Sequence, residues 1–353
     1  MVRPKLKGLP GVRPSMRPPK ITVLCALSFL VATGCTSVAR GTTQQTPTPT
    51  ATVSATASLD VTSTFTCRLP VISPYNPGVP PGGWITFPGG QFERDPASDA
   101  NRLQAHVPSY DRAIRAWLPV ENRNVSPSGD RYILTNDSSL PDASGFYLVD
   151  VKTGARRLVL RDGPPQAPGS WTVVEFADAG VYLWSAGMLT VPGLWLLDPG
   201  TGKVRLIDGS HYWRMMGNGV AWALDPEPGP GSSQKQGVFR LDIASGHVER
   251  WYEADLPAAV PPPITMIAPD SDGHVFMVIG NQVPPRLGLL TGPDRFEPLA
   301  LPPDFPRIND GYPRNSGVWL ALGGGGLALY TASDGVRIMT RQTDIFDIAG
   351  DCS

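Results

Sequence analysis

Along most of this chain the hydrophobic positions fall in short runs of four to six, alternating or wholly apolar, each broken by Gly, Asp, Asn or Pro. A period of two over such lengths predicts β-strands rather than helices. The clearest stretch is Gly145 to Leu160, GFYLVDVKTGARRLVL, which returns as GLWLLDPGTGKVRLID from Gly193 and as GVFRLDIASGHVERWY from Gly237. Each copy reads as two strands joined by a tight turn. Asp150, Asp198 and Asp242 can accept hydrogen bonds from their own downstream backbone, and Gly154, Gly202 and Gly246 tolerate positive φ. Weaker copies, RLGLLTGPDRFEPL from Arg286 and GLALYTASDGVRIM from Gly326, carry Thr291 and Thr331 in place of the Asp.

A second unit precedes each hairpin: VSPSGDRYILT around Gly129, EFADAGVYLWS around Gly180, MMGNGVAWALD around Gly219, IAPDSDGHVFMVI around Gly273 and YPRNSGVWLALG around Gly317. In each, a turn glycine leads into a strand. The hairpins start at 145, 193, 237, 286 and 326, so the steps are 48, 44, 49 and 40 residues, the length of a four-stranded propeller blade. The ends supply more strand material. QTDIFDIAGDC (342–352) resembles the first strand of a unit, and GGWITFPGGQ from Gly82 and SYDRAIRAWLPV from Ser109 resemble the rest. The expected fold is therefore an all-β propeller of six four-stranded blades, the last built from both chain termini so that no sheet edge is left open. The alternative is an open five-unit array with frayed ends.

The N-terminus does not fit this pattern. Arg3, Lys5, Lys7, Arg13, Arg17 and Lys20 precede a 14-residue apolar run, Ile21 to Gly34, which is short for a spanning helix and reads as an export signal. The following Ala32-Thr33-Gly34-Cys35 resembles the lipobox of bacterial lipoproteins, with Ala32 where a larger aliphatic is usual. That resemblance implies a signal peptide over 1–34 and lipidation of Cys35, against plain secretion or an uncleaved anchor. Residues 35–66, rich in Thr, Ser, Ala and Pro, cannot bury a core and read as a disordered tether, spanning on the order of 30 Å. The propeller domain is expected over 67–353, exported and lipid-anchored on the outer face of the cytoplasmic membrane or in the envelope. Loss of the signal's six basic residues takes the net charge from −1 to −7, which argues against a nucleic-acid partner.

Cys25 would leave with the signal and Cys35 would carry lipid. Cys67 and Cys352 then remain at the two ends of the domain, and in an exported protein a bridge between them is expected, worth roughly 5 kcal/mol on a chain-entropy model. Two unpaired thiols are the other reading.

Val125 to Tyr132, VSPSGDRY, looks like the S-P-D-G turn of TolB-type and WD40-like six-bladed propellers, with Ser128 where Asp is usual. Ala268 to Gly273, APDSDG, is a looser copy, and the hairpin turns at Asp150, Asp198 and Asp242 are similar to that family's outer strands. The resemblance covers roughly residues 84–352 and rests on turns. It implies the fold and a binding-platform role, and names no ligand.

No G-x-S-x-G elbow is present, and His106, His211, His247 and His274 show no metal-ligand spacing, reading instead as turn or surface residues. Asp270 and Asp272 in PDSDG resemble the start of an EF-hand loop, but Gly273 is misplaced and no closing Glu follows, so a β-turn is preferred. Trp184, Trp195, Trp222 and Trp319 lie inside strand repeats and are expected in the core. Tyr212, Trp213 and Trp251 lie nearer connections and are the candidates for ligand contact. The polar stretch Asp225 to Gln236 is expected to protrude as a loop.

The expected function is a non-enzymatic binding or scaffold module for protein, peptide or glycan, with no cofactor. The alternative is a Ca²⁺-dependent propeller enzyme of lactonase, lyase or hydrolase type with its ion in the central channel. Its ligands would come from inner-strand starts such as Glu175, Asp178, Asn218, Asp270 and Asn315.

Overall fold

The computed structural model describes residues 65–72, 82–100, 107–135, 141–142, 144–161, 163, 170–186, 191–224, 234–256, 264–280, 286–314, 317–341 and 347–353. The signal, residues 35–64 of the tether, His106 and Asn315 lie outside the described residues. Among the described residues no helix is long and apolar enough to cross a membrane.

The chain forms a six-bladed β-propeller. Five sheets have four antiparallel strands and a sixth has three. Blade 1 joins the termini in the order Asp347–Ile348, Cys67–Ile72, Gly82–Phe87, Gln91–Arg94. In blade 2 the strands Arg131–Leu134, Phe146–Asp150 and Arg156–Leu160 are complete, and the inner strand shrinks to one bridge between Val125 and Tyr132. Blades 3 to 6 follow in order, with inner strands Ser170–Ala177, Tyr212–Gly217, Ile264–Pro269 and Ile308–Arg314.

The repeated turns work as their residue types dictate. Asp150 Oδ1 accepts from the Thr153 N–H at 2.8 Å and from its hydroxyl at 2.7 Å, while Gly154, at φ 68°, donates its N–H to the Asp150 carbonyl. Asp242 and Ser245 repeat the pattern, and Asp198 does so with Thr201 and the Gly200 N–H. These bonds hold all three carboxyls below the usual range. In blade 6 the Thr331 hydroxyl takes the Asp's place, accepting from the Asp334 N–H at 3.1 Å.

Burial runs radially. The second strands of blades 4 and 6, Val220–Leu224 and Gly317–Leu322, are buried at every position, whereas the outer strand of blade 3, Val204–Asp208, is not. Large residues fill the spaces between blades: Trp195 and Trp171 between blades 2 and 3, Trp222 and Trp251 between 4 and 5, and Trp319 between 6 and 1. Trp184 is half-buried, with the Arg214 guanidinium 5.4 Å from its ring centre.

Three expectations need correcting. The strand beside the C-terminal one in blade 1 is Cys67–Ile72, not the segment from Ser109. CRLPVI is long enough, and buried enough, for a central strand, whereas Ser109–Asp111 and Ala116–Leu118 are three residues each and form a separate hairpin. That hairpin wedges between blades 1 and 2. Trp117 packs with Ile72, Trp84 and Ala349, and the indole N–H groups of Trp84 and Trp117 both donate to Asp95 Oδ2, at 2.8 and 2.9 Å. Secondly, residues 225–233 of the polar stretch lie outside the described residues, and its end is strand, the third strand of blade 4 beginning at Gln234. The buried Gln236 side chain accepts from the Ile264 N–H of blade 5 at 3.0 Å. Thirdly, blade 2 has lost its inner strand to the turn Asn122–Asn124.

The termini are locked together. Val71 pairs with Ile348 and Ile72 with Asp347, and a disulfide joins Cys67 to Cys352 across 285 residues with Cα atoms 5.3 Å apart. Replacing both cysteines with Ser is expected to lower unfolding free energy by about 2–5 kcal/mol in oxidised protein, as read by urea denaturation. A change below about 0.5 kcal/mol would mean that closure does not depend on the bridge.

Candidate functional site

Propeller chemistry is expected where inner strands face the axis, and here the closing blade sets the arrangement. Asp347 opens the inner strand of blade 1, Asp310 sits on that of blade 6, and Glu121 stands immediately before the inner turn of blade 2. Three consecutive blades thus bring one carboxylate each to the same region. Gly311 explains how blades 5 and 6 come so close: a Cβ there would lie 2.5 Å from the Ile267 side chain. On the other side, the Ala349 carbonyl accepts from the Tyr110 N–H at 2.7 Å and from the Asn122 amide at 3.0 Å, tying blade 1 to the wedge and to blade 2.

The electrostatics follow from this crowding. The Asp310 carboxyl is pushed up to about 6, first by loss of bulk hydration and then by Asp347 and Glu121, against the pull of the Gly311 N–H and the Arg123 guanidinium. Yet Asp310 is exposed by surface area. Asp347, half-buried, is raised by burial and then by Glu121. Arg123 is committed to Glu121, Nη2 to Oε2 at 2.6 Å. Two residues beyond Asp310, burial and then Asp351 and Asp111 push the Tyr312 hydroxyl upward.

The residues singled out from the sequence scatter differently. Glu175, on the inner strand of blade 3, is half-buried and raised by burial alone. Asp178 and Asn218 are exposed in the tight turns that end the inner strands of blades 3 and 4, Asn218 at φ 51°. Asp270 lies in the matching turn of blade 5. Among the described residues it alone of these belongs to a close group of metal-ligating atoms, with Asp272 and His274. Trp213 is fully buried and donates its indole N–H to Asp208 at 2.9 Å, and Trp251 is buried edge-to-face on Trp222. Neither offers a stacking face to solvent. Tyr212 is half-buried. His211 stacks on Phe239 with ring centres 3.7 Å apart, and His247 is exposed at a hairpin turn.

Sequence reasoning missed Glu121, Asp310 and Asp347. The one usable signal was an acid inside otherwise apolar strand material, as in INDGYP and TDIFDIAG, at positions where the ring expects an inner strand.

No protein-family model matches the chain, and no curated protein matches it. Solved propeller structures do. TolB from Acinetobacter baumannii is 13% identical over 81% of this chain and 65% of that one, with a TM-score of 0.43. The β-propeller domain of the Trilobed protease from Pyrococcus furiosus is 11% identical over 78% and 86%, at 0.44. An oligogalacturonate lyase in complex with manganese is 10% identical over 74% and 71%, at 0.41. The chain spans just under two thirds of the length of that TolB. The fold rests on the sheet order, and these likenesses add nothing to the site.

A raised carboxyl makes a signed pH prediction. The folded state holds the Asp310 proton more tightly than the unfolded chain does, so the penalty for ionising it is absent below the ordinary value of 3.8 and grows as pH rises through about 6. Asp347 acts in the same direction. Asp310→Asn is therefore expected to raise Tm at pH 8, with the gain shrinking as pH falls below about 6 and nearly gone at about pH 3.5, below the ordinary carboxyl value. A Tm difference that is the same at both pH values would contradict the arrangement.

Proposed function

We propose that the chain is an exported, lipid-anchored propeller that works as a binding platform and takes a basic group of a protein or peptide partner into the acidic space at its closing seam. The observation that carries this is the meeting of Glu121, Asp310 and Asp347 from three neighbouring blades, with two of the three carboxyls pushed upward. Carboxylates held together at that cost are stabilised by any cation that enters, and entry of a cation drives off bound protons. An ammonium or guanidinium group suits a space in which the acids are too far apart to form a close ligand group. The Cys35 anchor and the tether would hold this surface off the membrane. Burial of Trp213 and Trp251 weighs for a protein or peptide over a glycan, since stacking platforms for sugar rings must be open.

The test uses pentalysine and pentaglutamate as probes, titrated calorimetrically into the purified full chain. Saturable binding of pentalysine alone is expected at pH 7.5. It should weaken as pH falls through about 6, as added salt screens it, and in the Asp310→Asn/Asp347→Asn double variant. Absence of pentalysine binding, or binding unaltered in the double variant, would overturn the reading. The anchor has its own check: Cys35→Ser should move the protein from the membrane to the soluble fraction.

A further inference from the structure

The turn between the first two strands of blade 5 carries more chemistry than a turn requires. In blade 2 the equivalent turn is closed by a hydroxyl, Ser126 Oγ accepting from the Arg131 N–H at 3.1 Å. In blade 5 one oxygen of Asp270 does this work, Oδ1 accepting from the Asp272 N–H at 2.9 Å and the His274 N–H at 2.8 Å. That leaves three groups over. Asp270 Oδ2 lies 3.0 Å from His274 Nδ1, and the Asp272 carboxylate has no side-chain partner among the described residues. One ligand atom from each of Asp270, Asp272 and His274 falls within 4.8 Å of the other two.

We propose that this turn is a metal site, with Asp270, Asp272 and His274 holding one divalent ion of the zinc and cobalt class. The donor set argues for that class. Ca²⁺ and Mg²⁺ take oxygen ligands almost throughout, whereas an imidazole among carboxylates suits Zn²⁺ and its first-row neighbours. Asp272 is exposed and His274 half-buried, so the remaining coordination positions face solvent. Among the described residues no Lys or Arg is paired with Asp270 or Asp272, and the ion-pair partner of Asp270 is His274 of the same turn. Tyr330 of blade 6 is pushed upward by burial and then by Asp270, Glu297 and Asp272, all in one direction, and the nearby Arg295 is paired with Glu297. A doubly charged cation would neutralise this field. The site stands on blade 5 and is independent of the acids at the closing seam.

The experiment titrates ZnCl₂, CoCl₂ and CaCl₂ separately into the purified full chain, with free thiols first blocked by alkylation, and follows heat and, for cobalt, visible absorption. One saturable Zn²⁺ or Co²⁺ per chain is expected, with no saturable Ca²⁺ heat. Asp272→Asn and His274→Ala should each weaken Zn²⁺ more than about tenfold. Both variants keep the backbone bonds of the turn, and unchanged circular dichroism and Tm without metal would establish that they fold. Absence of saturable Zn²⁺ and Co²⁺ binding, or binding equal in parent and variants, would overturn the proposal. Pentalysine binding does not enter this test, so the two readings fail separately.

Discussion

Ring closure is the constraint on which the rest depends. A propeller is held in shape by the pairing of its first and last strands, and here that pairing is thin: Asp347–Ile348 contributes two residue pairs to Cys67–Ile72. Backbone bonds reinforce it beyond the ladder, from the Ala349 N–H to the Pro70 carbonyl and from the Ser353 N–H to the Arg68 carbonyl. The Cys67–Cys352 bridge makes it covalent. The same closure forces like charges together. Asp347 of blade 1 lies within electrostatic reach of Asp310 of blade 6 and Glu121 of blade 2, so the stabilising contacts of the seam and its electrostatic strain share one location. A region that is both locked and repulsive is suited to accept a cation without rearranging.

The seam also shows how a long connection is used. Between blades 1 and 2 the chain inserts the helix Pro96–Ala100 and the hairpin Ser109–Leu118. Asp95 ties this insertion down, accepting both indole N–H groups, and Tyr110 lies edge-on to Trp84 and Trp117 with ring centres 4.5 and 5.6 Å away. Among the described residues the other neighbouring blades pack directly, as where Trp319 stacks on Phe87 between blades 6 and 1. Here a wedge fills the space, and the inner strand of blade 2 gives way to a turn whose Asn122 and Asn124 amides both bond backbone carbonyls.

Much of the fold was legible because the propeller's punctuation is local. Asp150, Asp198 and Asp242 make their turns within five residues, so the blades announce themselves along the chain. Closure was legible from the positions of Cys67 and Cys352. The strand Cys67–Ile72 was not, because Pro70 argues against a central strand. Pro70 is tolerated there because the closing strand asks only for its carbonyl, which accepts from Ala349. The site was largely illegible. Glu121, Asp310 and Asp347 look like unrelated acids until the ring brings the two ends of the domain together, and no local pattern encodes that meeting. Trp213 and Trp251 were misplaced for the opposite reason. Their neighbours along the chain are polar, but at the margin of the core Asp208 and Glu249 receive their indole N–H groups.

The central claim is that the closing seam holds ionisable carboxyls in a crowded, negative, cation-accepting space. The most direct measurement is the titration of the Asp310 carboxyl by carboxyl-detected NMR, with and without pentalysine. The account predicts a midpoint near 6 in the free protein and a fall when the peptide is bound. A midpoint near the ordinary 3.8, unmoved by the peptide, would contradict it.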